Sequence, residues 1–205
     1  MINGYHIFDD IIPELDQNKL EEYIKISNLK WNYQHNITGL YGGTESLKLP
    51  ANVLKGIDID DKNILNIINS IKLNLLDKLN MEFERDYRYK INWTTPITES
   101  YDFKNLIHVD MSVDHIAIIY YINDTDGNTV FLNNKRGNNG EFYQHNFEGI
   151  DVNDFDMING ISPKKGRAVI FDGNIHHYGE YPTIVDRFVI NFNLVGKHKN
   201  KNNLI

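Results

Sequence analysis

The chain has 205 residues, a formal net charge of −7 and no cysteine. That length fits one domain, or one domain with a helical extension. The acidic balance argues against a protein that holds nucleic acid mainly through its phosphates. Without cysteine there are no disulfides, zinc–thiolate sites or iron–sulfur clusters, so a metal would need histidine and carboxylate. The start, MINGYHIFDD, has no basic residues followed by a long apolar run, and so reads as lacking a secretory signal. No stretch approaches the roughly 18 apolar residues of a membrane span. The expectation is a cytoplasmic protein, in which the glycosylation patterns at Asn36, Asn92 and Asn123 have no meaning.

Two helices are predicted first. Pro13 suits a first helical position, and Leu15, Leu20, Ile24 and Leu29 give a rough apolar face over 13–29. Asp60 or Asp61 caps a second helix over 61–80, where Ile64, Ile67, Ile68, Ile71, Leu75 and Leu79 recur at helical spacing. The Gly-rich run Gly39–Gly43 lacks the Lys and Ser/Thr of a phosphate loop and reads as a plain loop.

From about residue 84 the pattern turns to strands. Tyr87–Trp93 alternates and is rich in aromatics, and Ile116–Ile122 reads as a buried strand. Asp126-Gly127 is a hairpin signal before a strand at Thr129–Leu132. Turns follow at Asn138–Gly140, Asn159-Gly160 and Asp172-Gly173, with strands at Arg167–Phe171 and Arg187–Leu194. Many short strands at this spacing predict a mainly β protein, a sandwich or jelly roll, with helices on one outer face. The stretch 137–160, rich in Asn, Gly and Asp around Phe142, Tyr143 and Phe147, reads as a lid over a site or a plain hairpin. The tail Lys197–Lys201 is basic and expected to fray. Arg85, Arg88, Arg136 and Arg167 read as solvated surface charges.

The chemistry-bearing residues lie in the second half. His108-Val-Asp110 places a nitrogen and an oxygen two residues apart, on one side of a strand. Downstream, Gly166–Gly179 describes a strand and a turn that delivers a histidine, His176 or His177. A return strand then begins with Arg187. Two histidines and one carboxylate can occupy one face of an iron(II) ion and leave three positions open. Only one of His176 and His177 should reach the metal, because adjacent strand residues face opposite ways.

Ile107–Asp110, Ile119–Asp124 with Asp126-Gly127, Phe171-Asp-Gly-x-x-x-His177-x-Gly179 and Arg187-x-x-x-Asn-Phe-Asn193 together resemble the iron(II)/2-oxoglutarate-dependent oxygenases. The likeness is to the prolyl-hydroxylase-like branch with its small bacterial and phage members, over residues 84 to 195. It implies a double-stranded β-helix with N-terminal helices packed on the outer sheet. The whole chain, 1–205, would be one oxygenase domain: helical support over 1–83, catalytic core over 84–195 and basic tail over 196–205. His108, Asp110 and His177 would bind iron(II). His177 is preferred to His176 because the family pattern puts a glycine two residues after the ligand, and Gly179 fits. Arg187 would pair with the distal carboxylate of 2-oxoglutarate, which suits its fork better than a lysine. Tyr121 resembles the tyrosine whose hydroxyl contacts the same carboxylate, or is a core aromatic, and Tyr120 would point away from the barrel. Asn191 and Asn193 share Arg187's side of the strand and would bond 2-oxoglutarate or a buried water. Asn92 is a weaker candidate of that kind, and His115 either lines the pocket entrance or has no role.

The resemblance implies a dioxygenase that uses iron(II), 2-oxoglutarate and O2, with ascorbate as a supporting reductant. It would couple decarboxylation to succinate with hydroxylation of an unactivated C–H bond. Asp110 favours hydroxylation, because related halogenases lack the carboxylate. The substrate would be a peptide or protein, with a prolyl residue as the first guess, or a small molecule. Neither a nucleic acid nor a membrane is expected as a partner. Two alternatives remain. One is a non-catalytic jelly roll that binds metal or another ligand. The other is a nucleic-acid demethylase, although that branch carries a second arginine where this chain has Asn193.

Overall fold

The computed structural model describes residues 4–26, 29, 31–34, 51–55, 59, 61–82, 85–97, 107–111, 113–135, 157–195 and 199–200. The Gly-rich run at 39–43, Arg136 and the stretch 137–156 lie outside the described residues, as do the side chains of Arg85 and Arg88. In chain order the elements are β1 (Tyr5–Phe8), α1 (Glu14–Ile26), β2 (Asn32–Gln34), β3 (Ala51–Lys55), α2 (Lys62–Lys78), β4 (Met81–Glu82) and β5 (Arg85–Thr94). Then follow β6 (Ile116–Tyr121), β7 (Thr129–Lys135), β8 (Met157–Ile161), β9 (Ala168–Asp172), β10 (Ile175–Gly179), β11 (Arg187–Val195) and β12 (Lys199–Asn200).

Both predicted helices are present. In α2, Asp61 is the cap: its carboxylate accepts from the backbone N–H of Asn63 at 2.8 Å and Ile64 at 3.3 Å. Ile64, Ile67, Ile68, Ile71 and Leu75 are buried as their spacing requires. In α1 the buried stripe is Gln17, Leu20 and Ile24, and Leu15 is 64% exposed, so the predicted face was wrong at its first residue. Gln17 is tolerated inside because its amide donates to Ile12 O at 3.0 Å and Asp10 Oδ1 at 3.2 Å.

The strands form two main antiparallel sheets. The larger has the order β1-β9-β6-β11-β5-β3-β2, and the smaller the order β10-β7-β8. From β6 onward the chain passes between them: β6 in the large sheet, β7 and β8 in the small, then β9 large, β10 small and β11 large. That winding is the expected jelly roll. Period-two alternation splits the large sheet's residues into two cores. Ile116, Ile118 and Tyr120 of β6, with Phe188, Ile190, Phe192 and Leu194 of β11, pack with the helices. Ala117, Ile119 and Tyr121, with Val189, join Phe131, Phe171 and Ile175 between the sheets. Tyr120 therefore does point away from the barrel.

Several expectations are corrected. The N-terminal support is not only helical: β1 pairs with β9 at one edge of the large sheet, and β3 and β2 extend it beyond β5. These strands are three to five residues long and carry no alternation to read. Two residues of the basic tail, Lys199 and Asn200, pair with β4. Arg167 is no solvated charge; it grips Asp9 with two hydrogen bonds of 2.7 and 3.1 Å. The Asp126-Gly127 turn closes no hairpin, because both edges of β6 are taken, by β9 and β11. It carries the chain from one sheet to the other. The Asp126 carboxylate accepts from Thr183 N at 2.8 Å and Thr183 Oγ1 at 2.6 Å. Gly127 has φ +86°, and a Cβ there would sit 2.8 Å from Glu180 O.

Gly127→Ala should destabilise the fold by about 2 kcal/mol or more, since strain and backbone overlap add. Urea denaturation measures it; a loss within ~0.5 kcal/mol would mean that the turn is free to relax.

Candidate metal centre

His108 and His177 are held by a pair of backbone hydrogen bonds, each donating its N–H to the other's carbonyl at 3.0 Å. His108 thus adds one residue to the free edge of β10, and its ring centroid lies 4.7 Å from that of His177. Asp110 follows two residues on, in a bend rather than a strand. The ligand atoms of His108, Asp110 and His177 all lie within 4.8 Å of one another, the sole such group of three among the described residues. His176, one residue before, is buried but outside the cluster.

The turn after β9 delivers His177. Asp172 accepts from Asn174 N at 3.0 Å, and Gly173 N donates to His115 O at 2.9 Å. The His115 ring lies where a Gly173 Cβ would be, 2.3 Å away, so His115, read as an entrance residue or one without a role, packs on the turn. His177 Nδ1 is 3.0 Å from Ile175 O. As a donor there, it leaves the Nε2 lone pair for a metal. Burial, then the neighbouring His108, pushes the His177 pKa down to about 4, which keeps the imidazole neutral.

Asp110 uses its two oxygens differently. Oδ1 lies 3.6 Å from His108 Nε2. Oδ2 accepts from Asn191 Nδ2 and Asn193 Nδ2, both at 3.0 Å. Burial would raise this carboxyl's pKa, but the His108 imidazole beside it and the charge of Lys90 hold it well below the usual range. The His108 side chain is 30% exposed and that of Asp110 only 2%, so solvent reaches the cluster past His108.

A second group lies deeper between the sheets. Arg187 is buried, and its Nη2 donates to Thr129 Oγ1 at 2.9 Å. Tyr121 Oη donates to the same oxygen at 2.7 Å, with the guanidinium 5.6 Å above its ring. Arg187 Nε is buried with no partner, and no carboxylate among the described residues forms an ion pair with this guanidinium. A buried cation in that position calls for an anion from elsewhere. Gly179 leaves the room: a Cβ on it would stand 3.2 Å from Nη1. Thr129 was missed in the sequence, where it is one more β-branched residue opening a strand. Asn92 sits on β5 opposite Val189, and its Oδ1 is buried without a donor.

No family model and no curated protein matches the sequence. Solved structures do match. A prolyl hydroxylase from Trichoplax adhaerens, in complex with a hypoxia inducible factor oxygen degradation domain peptide fragment, aligns over 99% of this chain and 88% of its own, at 11% identity and a TM-score of 0.64. The non-heme alpha ketoglutarate dependent carbocyclase SnoK from nogalamycin biosynthesis aligns over 94% and 79%, at 14% identity and 0.62. A Pseudomonas putida prolyl-4-hydroxylase aligns over 95% and 93%, at 13% identity and 0.53. At such identities the likeness is one of architecture. This chain has the fold of the iron(II)/2-oxoglutarate oxygenases, as found in their prolyl-hydroxylase-like branch.

His177 gives a pH prediction. Its folded pKa is below the unfolded value of about 6.5, so below that pH the unfolded chain binds the extra proton. The metal-free protein should therefore lose stability as pH falls from about 6.5 to 4, by roughly 3 kcal/mol through this group. Urea denaturation at pH 7, 5.5 and 4.5 should show a steeper decline for the wild type than for His177→Gln; parallel curves would refute it.

Proposed function

We propose that this chain is an iron(II)- and 2-oxoglutarate-dependent dioxygenase that hydroxylates an unactivated C–H bond. The observation that carries the reading is the His108–Asp110–His177 cluster together with the buried Arg187 guanidinium, whose Nε has no partner and which no carboxylate among the described residues pairs with. Both features fit the groups concerned. The cluster offers two imidazoles and one carboxylate, the donor set of the non-haem iron(II) oxygenases. Arg187 offers a fork for a carboxylate.

Bound together, iron(II) and 2-oxoglutarate would supply oxidising power through the decarboxylation of the co-substrate to succinate with O2. The chain's part is to hold and orient. His108, Asp110 and His177 would bind the metal. Arg187 would bind the distal carboxylate of 2-oxoglutarate. Thr129 Oγ1 already accepts from Arg187 and Tyr121, so its own hydrogen remains to donate to that carboxylate. Tyr121 would act through Thr129, fixing its hydroxyl. Asn191 would serve the cofactors by way of Asp110, which it contacts. The intact carboxylate of Asp110 favours hydroxylation over halogenation.

For the substrate we propose a peptide side chain, prolyl first, or a small molecule. Support comes from the Trichoplax structure, whose partner is a peptide, and from the nogalamycin-pathway proteins of the same fold. The second arginine of the demethylating branch is missing, since Asn193 occupies that place. We read residues 1–205 as one oxygenase domain, with 2-oxoglutarate deep in the barrel and substrate arriving past His108.

An anaerobic titration with iron(II) and then 2-oxoglutarate tests this. The wild type should develop the visible charge-transfer band of the chelate and, in air, release succinate. His177→Ala should lose the band. Arg187→Ala should need ~100-fold more 2-oxoglutarate, the size expected for losing one partner of a buried charge pair. Thr129→Val should need ~10-fold more, as for one hydrogen bond to a charged group. A folded wild type without the band would refute the reading.

A further inference from the structure

We infer that Asn191 and Asn193 are a paired clamp that restricts Asp110 to one metal-binding oxygen and so keeps a coordination position open. The inference rests on the metal-site reading above and adds the residues that shape it. A carboxylate left to itself can bind a metal through one oxygen or both. A second bound oxygen would take one of the three positions that a 2-oxo acid and O2 need. Here Oδ2 is already taken, accepting two amide hydrogens at 3.0 Å each. Oδ1 stays on the histidine side, 3.6 Å from His108 Nε2.

The clamp is rigid for a structural reason. Asn191 and Asn193 are two apart on β11, so they leave the strand on one face. β11 is paired along both edges, Asn191 opposite Lys90 and Ile119, Asn193 opposite Arg88 and Ala117. Both asparagines are buried. Their amide orientation follows from chemistry, since a carboxylate oxygen accepts only from the NH2 end. Amides also suit the task electrically: they bind Oδ2 without adding a positive charge against Asp110.

The Oδ1 of Asn191 is buried with no donor. 2-Oxoglutarate, fully ionised, carries acceptors only and cannot fill it. One hydrogen of its Nδ2 suffices for Asp110, so Asn191 is a positioning residue that works through that carboxylate, whatever its second hydrogen meets.

The test uses Co(II) as a spectroscopic stand-in on the full chain, with Asn191→Leu, Asn193→Leu and the double variant. Leucine keeps the volume and removes the donor. Co(II) affinity should fall several-fold in each single variant and ~10- to 100-fold in the double. In the double variant the ligand-field bands should also shift, as the second oxygen of Asp110 joins the metal, and 2-oxoglutarate should no longer produce the wild-type spectral change. If the double variant does not fold, the single variants decide on the same two readouts. Folded variants with wild-type affinity and spectrum would overturn the clamp alone. A wild type that binds no Co(II) would remove the metal-site reading, and the clamp with it.

Discussion

The backbone of β11 is committed on both edges, to β5 on one side and β6 on the other. Only its two faces remain to be used. Phe188, Ile190, Phe192 and Leu194 turn one face into the core shared with the helices. Each contributes roughly 1.5–3 kcal/mol by leaving water. A slip of one residue would expel all four from that core and press Arg187, Asn191 and Asn193 against α2. The helices thus shape this face without touching it: their apolar stripe fixes the register that aims three polar side chains between the sheets.

That face sets out the chamber. Arg187 and Asn191 are four residues apart, roughly 13 Å along the strand. The cation is at one end, and the carboxylate of Asp110 is held at the other by Asn191 and Asn193. Had the two charges been adjacent they would have neutralised each other, and neither would attract a ligand. Kept apart by neutral side chains, each keeps its charge in a place where water screens it poorly. Asp110 stays ionised while His177 stays neutral, which are the protonation states that metal ligands need.

The legible parts of the fold were those with enough residues to show a period. α2 runs for 17 residues with isoleucine and leucine at helical spacing, and β6 and β11 are long enough to look like buried strands. β1 and β2 have four and three residues and are strands because a neighbour offers an edge, which is a tertiary fact. The Asp126-Gly127 misreading has the same origin: the turn chemistry was real, but strand pairing elsewhere decided what it joined. The convergence of His108, Asp110 and His177 was legible because metal-binding chemistry restricts its candidates to few residue types. Thr129 was not, because nothing local separates a threonine that hydrogen-bonds two functional side chains from one that merely favours a strand.

Gly179 shows how such a pattern acquires a cause. In the sequence it served only to choose His177 over His176, by resemblance. In the fold it faces the Arg187 guanidinium, where a side chain would press on Nη1. His177 and Gly179 share a face of β10 because they are two apart, so the strand that brings His177 to the cluster also clears space for the cation. The spacing from histidine to glycine is thus fixed by strand geometry, and so is the spacing among Arg187, Asn191 and Asn193. Two facing strands, each read at period two, specify the buried half of the site. The exposed half, on the side where solvent reaches His108, obeys no such period. His108 and Asp110, an isolated bridge residue and a bend, stand there outside any strand's alternation.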